Sequence, residues 1–235
     1  PFWSSTDELY LMNKGQVYKY SLETNESVQI TDFYAGVSDP ILSNDGRYLA
    51  FTAELFPECG TDNDCNKRLD ESSSNGPMQA YIADELLFRH WTDYKGEKES
   101  YLVLFDIKEN KYQAITNSDV LSGTYMLGGG PKFAFSSDSR VLAYVSSREK
   151  NIANSTNTDI FLMPLGGNQT VNITLGNDAW DGAPIYSPDG NYIAYKTHSI
   201  PGFEADRFRI AVYNTQTLHS EVLTESFDYT TDNLS

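Results

Sequence analysis

Basic residues are scarce in this chain. Lys and Arg number 17 against 33 Asp and Glu, a formal net charge of −16, and no basic run interrupts the acidic background. Nucleic acid and anionic membrane surfaces are therefore not expected partners, because both are bound through dense positive charge. Long apolar runs are lacking too: none approaches the roughly 18 residues needed to cross a bilayer. Catalytic signatures are also missing. There is no G-x-S-x-G elbow, no H-E-x-x-H, no P-loop and no Gly-rich dinucleotide turn. The three histidines, His90, His198 and His219, lack metal-ligand spacing. No catalytic residue, metal or cofactor is expected in these residues. The glycine-rich "LGGGPKF" (127–133) enters a strand rather than a helix and reads as a flexible connection.

Cysteine is nearly absent. Cys59 and Cys65 stand six residues apart in the polar stretch "ECGTDNDCNKR". They are either a small disulfide formed in an oxidising compartment or two free thiols. Asp62 and Asp64 between them hint at a cation site, but the calcium-loop pattern is incomplete. Sequons at Asn25, Asn154, Asn168 and Asn172 would carry glycans only in a eukaryotic secretory protein.

What the chain has in quantity is alternating strand sequence. It is 40% hydrophobic and 13% aromatic over 235 residues, enough for a sizeable core. "PFWSSTDELYLM" (1–12), "PILSNDGRYLAF" (40–51), "FAFSSDSRVLAY" (133–144) and "PIYSPDGNYIAY" (184–195) are copies of one hairpin. Each has a short apolar strand, a Ser, a polar turn and an alternating strand. The turn positions Thr6, Asp45, Asp138 and Asp189 are 39, 93 and 51 residues apart. A second hairpin follows each copy and closes on Thr31, Thr116, Thr174 or Thr224. Tyr, Val, Ile and Thr dominate these runs, as pleated, half-buried strands require. Convincing 3.6-residue periodicity is absent, although Met78–Phe88 is compatible with a short helix.

Two hairpins per repeat make a four-stranded antiparallel unit, and such units recurring in tandem predict an all-β fold, a β-propeller. A β-sandwich with coincidental hairpins is the alternative. Four blades are expected, over 1–33, 38–116 (with an insertion at 53–100), 131–175 and 182–225, with 226–235 approaching a further blade. Pro1 falls in an innermost strand, so the chain reads as part of a closed ring of about seven or eight blades. Unpaired blade edges would then invite self-association.

The short turns lie at one end of every blade, so the insertions gather on the other face. Elaborated loops on a rigid scaffold suggest a recognition surface. In blade two, "LFRHWTDYKGEKES" (87–100) sets Arg89 and Trp91 on one side of an extended segment, where either can stack or pair with a ligand. The ordinary alternative is that Trp91 caps the blade core and Arg89 pairs with an acid. In blade four, "PGFEADR" (201–207) sets Glu204 beside Asp206 and Arg207. A carboxylate held by a neighbouring Arg can anchor a cationic group; a solvated surface ion pair is the alternative.

The "SPDG" hairpins resemble those of the prolyl oligopeptidase family of serine peptidases and of the TolB-like periplasmic proteins. "LFRHWTDYKGEKESYLVLFD" and "GAPIYSPDGNYIAYKTHSIPGFEADRFRIAVYN" are similar to segments of the dipeptidyl-peptidase and acylaminoacyl-peptidase branch of the former. The resemblance extends over nearly the whole chain, but only to the family's propeller. It implies a periplasmic or secreted two-domain enzyme whose α/β-hydrolase domain, in the same polypeptide but not in this chain, carries nucleophile, acid and base. The substrate would be a short peptide, which the propeller admits and positions. In dipeptidyl peptidases, propeller glutamates bind the free α-amine. The resemblance gives that role to Glu204, with Arg207 or Arg89 orienting it. The alternative is a non-enzymatic TolB-like scaffold.

Overall fold

A computed structural model describes residues 1–4, 8–74, 89–90, 93–94, 96–116, 132–149, 154–167 and 169–231. The chain divides into two compact units, 1–124 and 125–235.

In the first unit, β1 (Phe2–Trp3), β2 (Leu9–Asn13), β3 (Gln16–Tyr20) and β4 (Ser27–Gln29) pair in that order as one antiparallel sheet. Next along the chain come β5 (Ser38–Leu42), β6 (Tyr48–Leu55), helix α1 (Asn63–Ser74), β7 (Arg89–His90), β8 (Asp93–Tyr94), β9 (Glu99–Asp106) and β10 (Lys111–Ala114). Of these, β5, β6, β9 and β10 form the second sheet, and β7 and β8 form a two-stranded ribbon. Both sheets contribute to a single core that includes Tyr10, Val17, Phe33, Leu49, Phe51 and Phe105. Tyr112 stacks on Phe105 with ring centroids 4.2 Å apart. Its hydroxyl accepts a hydrogen bond from the Asp32 amide.

The second unit repeats the plan. β11 (Phe133–Phe135), β12 (Val141–Ser146), β13 (Asp159–Pro164) and β14 (Val171–Asn172) form one sheet. β15 (Asp181–Tyr186), β16 (Tyr192–Thr197), β17 (Arg209–Asn214) and β18 (His219–Val222) form the other. Burial along β17 alternates residue by residue, as its sequence pattern predicts. The four sheets are a partial β-propeller, the fold expected from the repeats.

The hairpin repeat is reproduced atom by atom in its last three copies; Thr6, the turn position of the first, lies outside the described residues. Ser43 Oγ donates to Asp45 Oδ1 at 2.6 Å while accepting the Tyr48 amide at 2.9 Å. Ser136 does the same with Asp138 and Val141, and Ser187 with Asp189 and Tyr192. The next residue must turn left-handed, at φ 70° in Gly46, 58° in Ser139 and 74° in Gly190, which is why Gly recurs there. The serine hydroxyl is the leading cause holding the Asp138 and Asp189 carboxyls below the ordinary carboxylate value.

The closing threonines have an equally uniform purpose. Their Oγ1 atoms accept the amides of Val17, Leu102, Ile160 and Ile210, at 2.8 to 3.0 Å. Each thus satisfies a strand amide at the end of its sheet where the ladder has run out.

The structure differs from expectation in two places. First, β5 and β15 each slip register before a proline, with left-handed backbone at Asp39 and Ala183. Proline has no amide to give the ladder, so the strand bulges to admit it. Second, α1 is a helix that the apolar pattern does not announce. It is almost wholly polar; Asp62 caps it by accepting the Cys65 amide at 2.9 Å. Buried Asn66 fixes it by donating to the Gly60 and Asp62 carbonyls and accepting the Phe56 amide. Met78–Phe88, the expected helix, lies outside the described residues.

Candidate functional site

The loop between β16 and β17 carries "PGFEADR", and its geometry is set by Asp206 rather than by Glu204. The Asp206 carboxylate accepts the backbone amides of Ser199 (2.7 Å), Ile200 (3.1 Å) and Arg207 (2.8 Å), and Arg209 Nη1 donates to it at 3.2 Å. The Asp206 and Arg209 side chains are 6% and 9% exposed. Burial by itself would raise the Asp206 carboxyl, but the Ser199 amide and the Arg209 guanidinium outweigh it and hold the carboxyl at about 2. On its other side, Arg209 Nε faces Glu225 at 3.3 Å.

Further bonds fasten the loop. Gly202 donates to Thr156 Oγ1 and Phe208 to Thr230 Oγ1, while the Thr231 amide donates to the Phe208 carbonyl. The result is a pinned loop with Glu204 exposed upon it. Among the described residues the Glu204 carboxylate has no hydrogen-bond or ion-pair partner.

Arg207 does not orient Glu204. Its guanidinium donates to the backbone carbonyls of Glu225 (2.7 Å) and Thr224 (3.5 Å), tying the loop to the end of the outer strand. The expected pairing fails because the competing acceptors are carbonyls left over where β18 ends, a tertiary arrangement that adjacency in sequence does not reveal. Arg89 lies in β7, paired through its backbone with Tyr94 in the first unit. Trp91 and the sequon at Asn168 lie outside the described residues.

Cys59 and Cys65 are joined as a disulfide, with Cα atoms 5.5 Å apart. It closes the loop leading into α1. Asp62, considered for a cation, is the helix cap.

Sequence reasoning passed over the groups beneath the Glu204 loop. His198 is 2% exposed, with its ring 4.3 Å from that of Phe208 and 5.7 Å from that of Trp180. Burial pushes its pKa down; Asp206 opposes this, and the nearby Arg209 and Lys196 cations add to it. Asp181, 1% exposed, has its carboxyl pushed up to about 7 by burial, with Thr197 and Asn177 pulling it back only in part. The available signal was the unbroken strand pattern of Tyr192–Thr197 running into His198, which places that residue at a strand end rather than in a surface loop.

No family model matches the chain. Among curated proteins, it is 27% identical over 192 residues to the dipeptidyl-peptidase 5 of Porphyromonas endodontalis, covering 77% of this chain and 26% of that protein. The protein of the same name from Porphyromonas gingivalis is 26% identical over 205 residues, covering 84% and 28%. The chain is thus similar to these two dipeptidyl-peptidases over most of its own length. It spans about a quarter of the length of these dipeptidyl-peptidase relatives. Two solved structures share the fold. The acylaminoacyl peptidase of Pyrococcus horikoshii superposes with a TM-score of 0.60 at 10% identity, over 98% of this chain and 32% of that one. TolB of Acinetobacter baumannii gives 0.54 at 14% identity, over 94% and 42%.

Proposed function

We propose that this chain is the non-catalytic propeller portion of a serine exopeptidase, which admits short peptides and positions them for an α/β-hydrolase domain outside these residues. Glu204 binds the free α-amine of the peptide. The observation that carries this reading is the pinned loop: an exposed, unpaired carboxylate on a segment already held by the buried Asp206–Arg209 pair. A group held in place before the ligand arrives loses little freedom on binding, which favours affinity. The names of the relatives, dipeptidyl-peptidase 5, support the substrate class. The chain has no nucleophile elbow of its own and is expected to be inactive alone.

A periplasmic or secreted setting goes with this reading, supported by the Cys59–Cys65 disulfide, since such bonds persist in oxidising compartments. The second reading, a TolB-like interaction scaffold, is favoured by the fold shared with TolB. Peptidase kinetics separate the two. In the full-length protein, Glu204→Ala should lower kcat/KM on dipeptidyl substrates by about 2–5 kcal/mol of transition-state binding, the cost of removing one partner of a charged contact. An unchanged value removes Glu204 from the site. A full-length protein without peptidase activity leaves the scaffold reading.

A further inference from the structure

The pinned loop carries more than a carboxylate. Ile200, Pro201, Gly202 and Phe203 make a tight turn: the Phe203 amide donates to the Ile200 carbonyl at 3.3 Å, and Gly202 is left-handed at φ 73°. Proline in second place and a left-handed glycine in third are what a type II turn requires. A second turn follows at once, closed by the Asp206 amide on the Phe203 carbonyl at 3.1 Å, with Glu204 in its second place. The first and last residues of a turn have Cα atoms within about 7 Å of each other. Ile200 and Phe203 are therefore neighbours in space, and Glu204 follows Phe203 directly.

Ile200 and Phe203 are each 48% exposed. Neither joins the core built by Ile193, Tyr195, Ala211 and Tyr213, so core packing does not account for them. The backbone beneath them is fixed. Asp206 holds the Ser199 and Ile200 amides, and Thr156 Oγ1 holds the Gly202 amide.

More apolar surface is fastened to the same end of the sheet. Arg207 holds the Glu225 carbonyl, and Thr230 and Thr231 bond to the Phe208 backbone. Between these ties stand Phe227 and Tyr229, 49% and 73% exposed, with ring centroids 5.7 Å apart. Single exposed apolar side chains are ordinary; several gathered on one rigid support mark a contact surface.

We propose that Ile200 and Phe203 receive the side chain of the peptide's N-terminal residue, so that the substrates are peptides beginning with a large apolar residue. This rests on the reading of Glu204 as the amine site. The α-amine and the side chain of an N-terminal residue spring from one carbon atom. A carboxylate that holds the amine therefore delivers the side chain to whatever lies beside it, and beside Glu204 lies Phe203. An aromatic ring offers a large contact area and loses little freedom when covered.

Kinetics of the full-length protein test this with dipeptidyl substrates that differ only in the N-terminal residue: glycine, leucine, phenylalanine or lysine. Leucine and phenylalanine should exceed glycine in kcat/KM by about tenfold, the scale on which apolar pockets discriminate. Phe203→Ala should bring that ratio close to one, Phe203→Leu should restore most of it, and Ile200→Ala should lower it in part. Urea unfolding checks that each variant is folded. Glu204→Ala should instead lower all four substrates alike. Loss of the ratio in Phe203→Ala beside an inert Glu204→Ala would keep the apolar contact and reject the amine site. The proposal is overturned if leucine and phenylalanine are cleaved no better than glycine, or if lysine is preferred, since the acidic surroundings would then be choosing the side chain. It is equally overturned if Phe203→Ala lowers all four by one factor, as a contact with another domain would, or if the full-length protein has no peptidase activity.

Discussion

Arg209 and Asp206 form a buried ion pair at 3.2 Å, and the loop that presents Glu204 is built around it. Asp206 also collects three backbone amides from that loop, so the pair does two things at once. It neutralises a charge inside the protein, and it sets the loop's path.

Arg209→Met should therefore destabilise the second unit by about 3–5 kcal/mol, the usual cost of orphaning one partner of a buried pair. Hydrogen exchange of the Ser199, Ile200 and Arg207 amides should accelerate in the same variant. Equal exchange in parent and variant would show that the backbone bonds to Asp206 suffice by themselves. Asp206 also gives the pair a pH signature. Its folded carboxyl lies at about 2, below the ordinary 3.8. Its contribution is present above the ordinary value and is lost as pH falls from about 4 through 2.

Asp181 predicts the opposite sign. Its carboxyl is raised from 3.8 to about 7 in the folded chain. Between those values the unfolded chain releases the proton and the folded chain keeps it, so this group makes stability fall as pH rises through that window. Asp181→Asn removes the effect. Urea unfolding should find the variant more stable than the parent at pH 8, with the difference shrinking toward pH 4. A difference independent of pH would mean that Asp181 stays ionised throughout.

The closing threonines give a graded prediction. Thr116 is 3% exposed and caps the amide of Leu102, which is 1% exposed. Thr116→Val leaves that amide buried and unbonded and should cost about 1–3 kcal/mol in denaturant unfolding. Thr224→Val removes the same bond from the less deeply buried Ile210 and should cost less, since water can replace the hydroxyl there. Equal costs would show that burial of the amide is not what sets the penalty.

Arg207 offers a check on the corrected assignment. Because it holds the carbonyls of Thr224 and Glu225, Arg207→Ala should raise exchange and protease sensitivity around 224–231. In the full-length protein it should affect peptide turnover less than Glu204→Ala does. A larger kinetic effect from Arg207→Ala would return it to the site.

Local chemistry was enough to specify the hairpins. Ser43, Asp45 and Gly46 lie within four residues, so one serine hydroxyl, one carboxylate and one left-handed turn write the same structure wherever they recur. Thr31, Thr116, Thr174 and Thr224 were legible for a related reason: each bonds an amide fourteen residues back, a separation the repeat holds constant. Helix α1 was not legible, because its stability comes from the Asp62 cap, the Asn66 bonds and the disulfide rather than from an apolar stripe. The environment around Glu204 was decided only in three dimensions. Asp206, Arg207 and Arg209 lie within four residues of sequence, and nothing local says that the first and last are buried as a pair while Arg207 reaches carbonyls beyond the end of β18. Burial, and with it the opposite displacement of the Asp181 and Asp206 carboxyls, depends on what distant strands leave exposed.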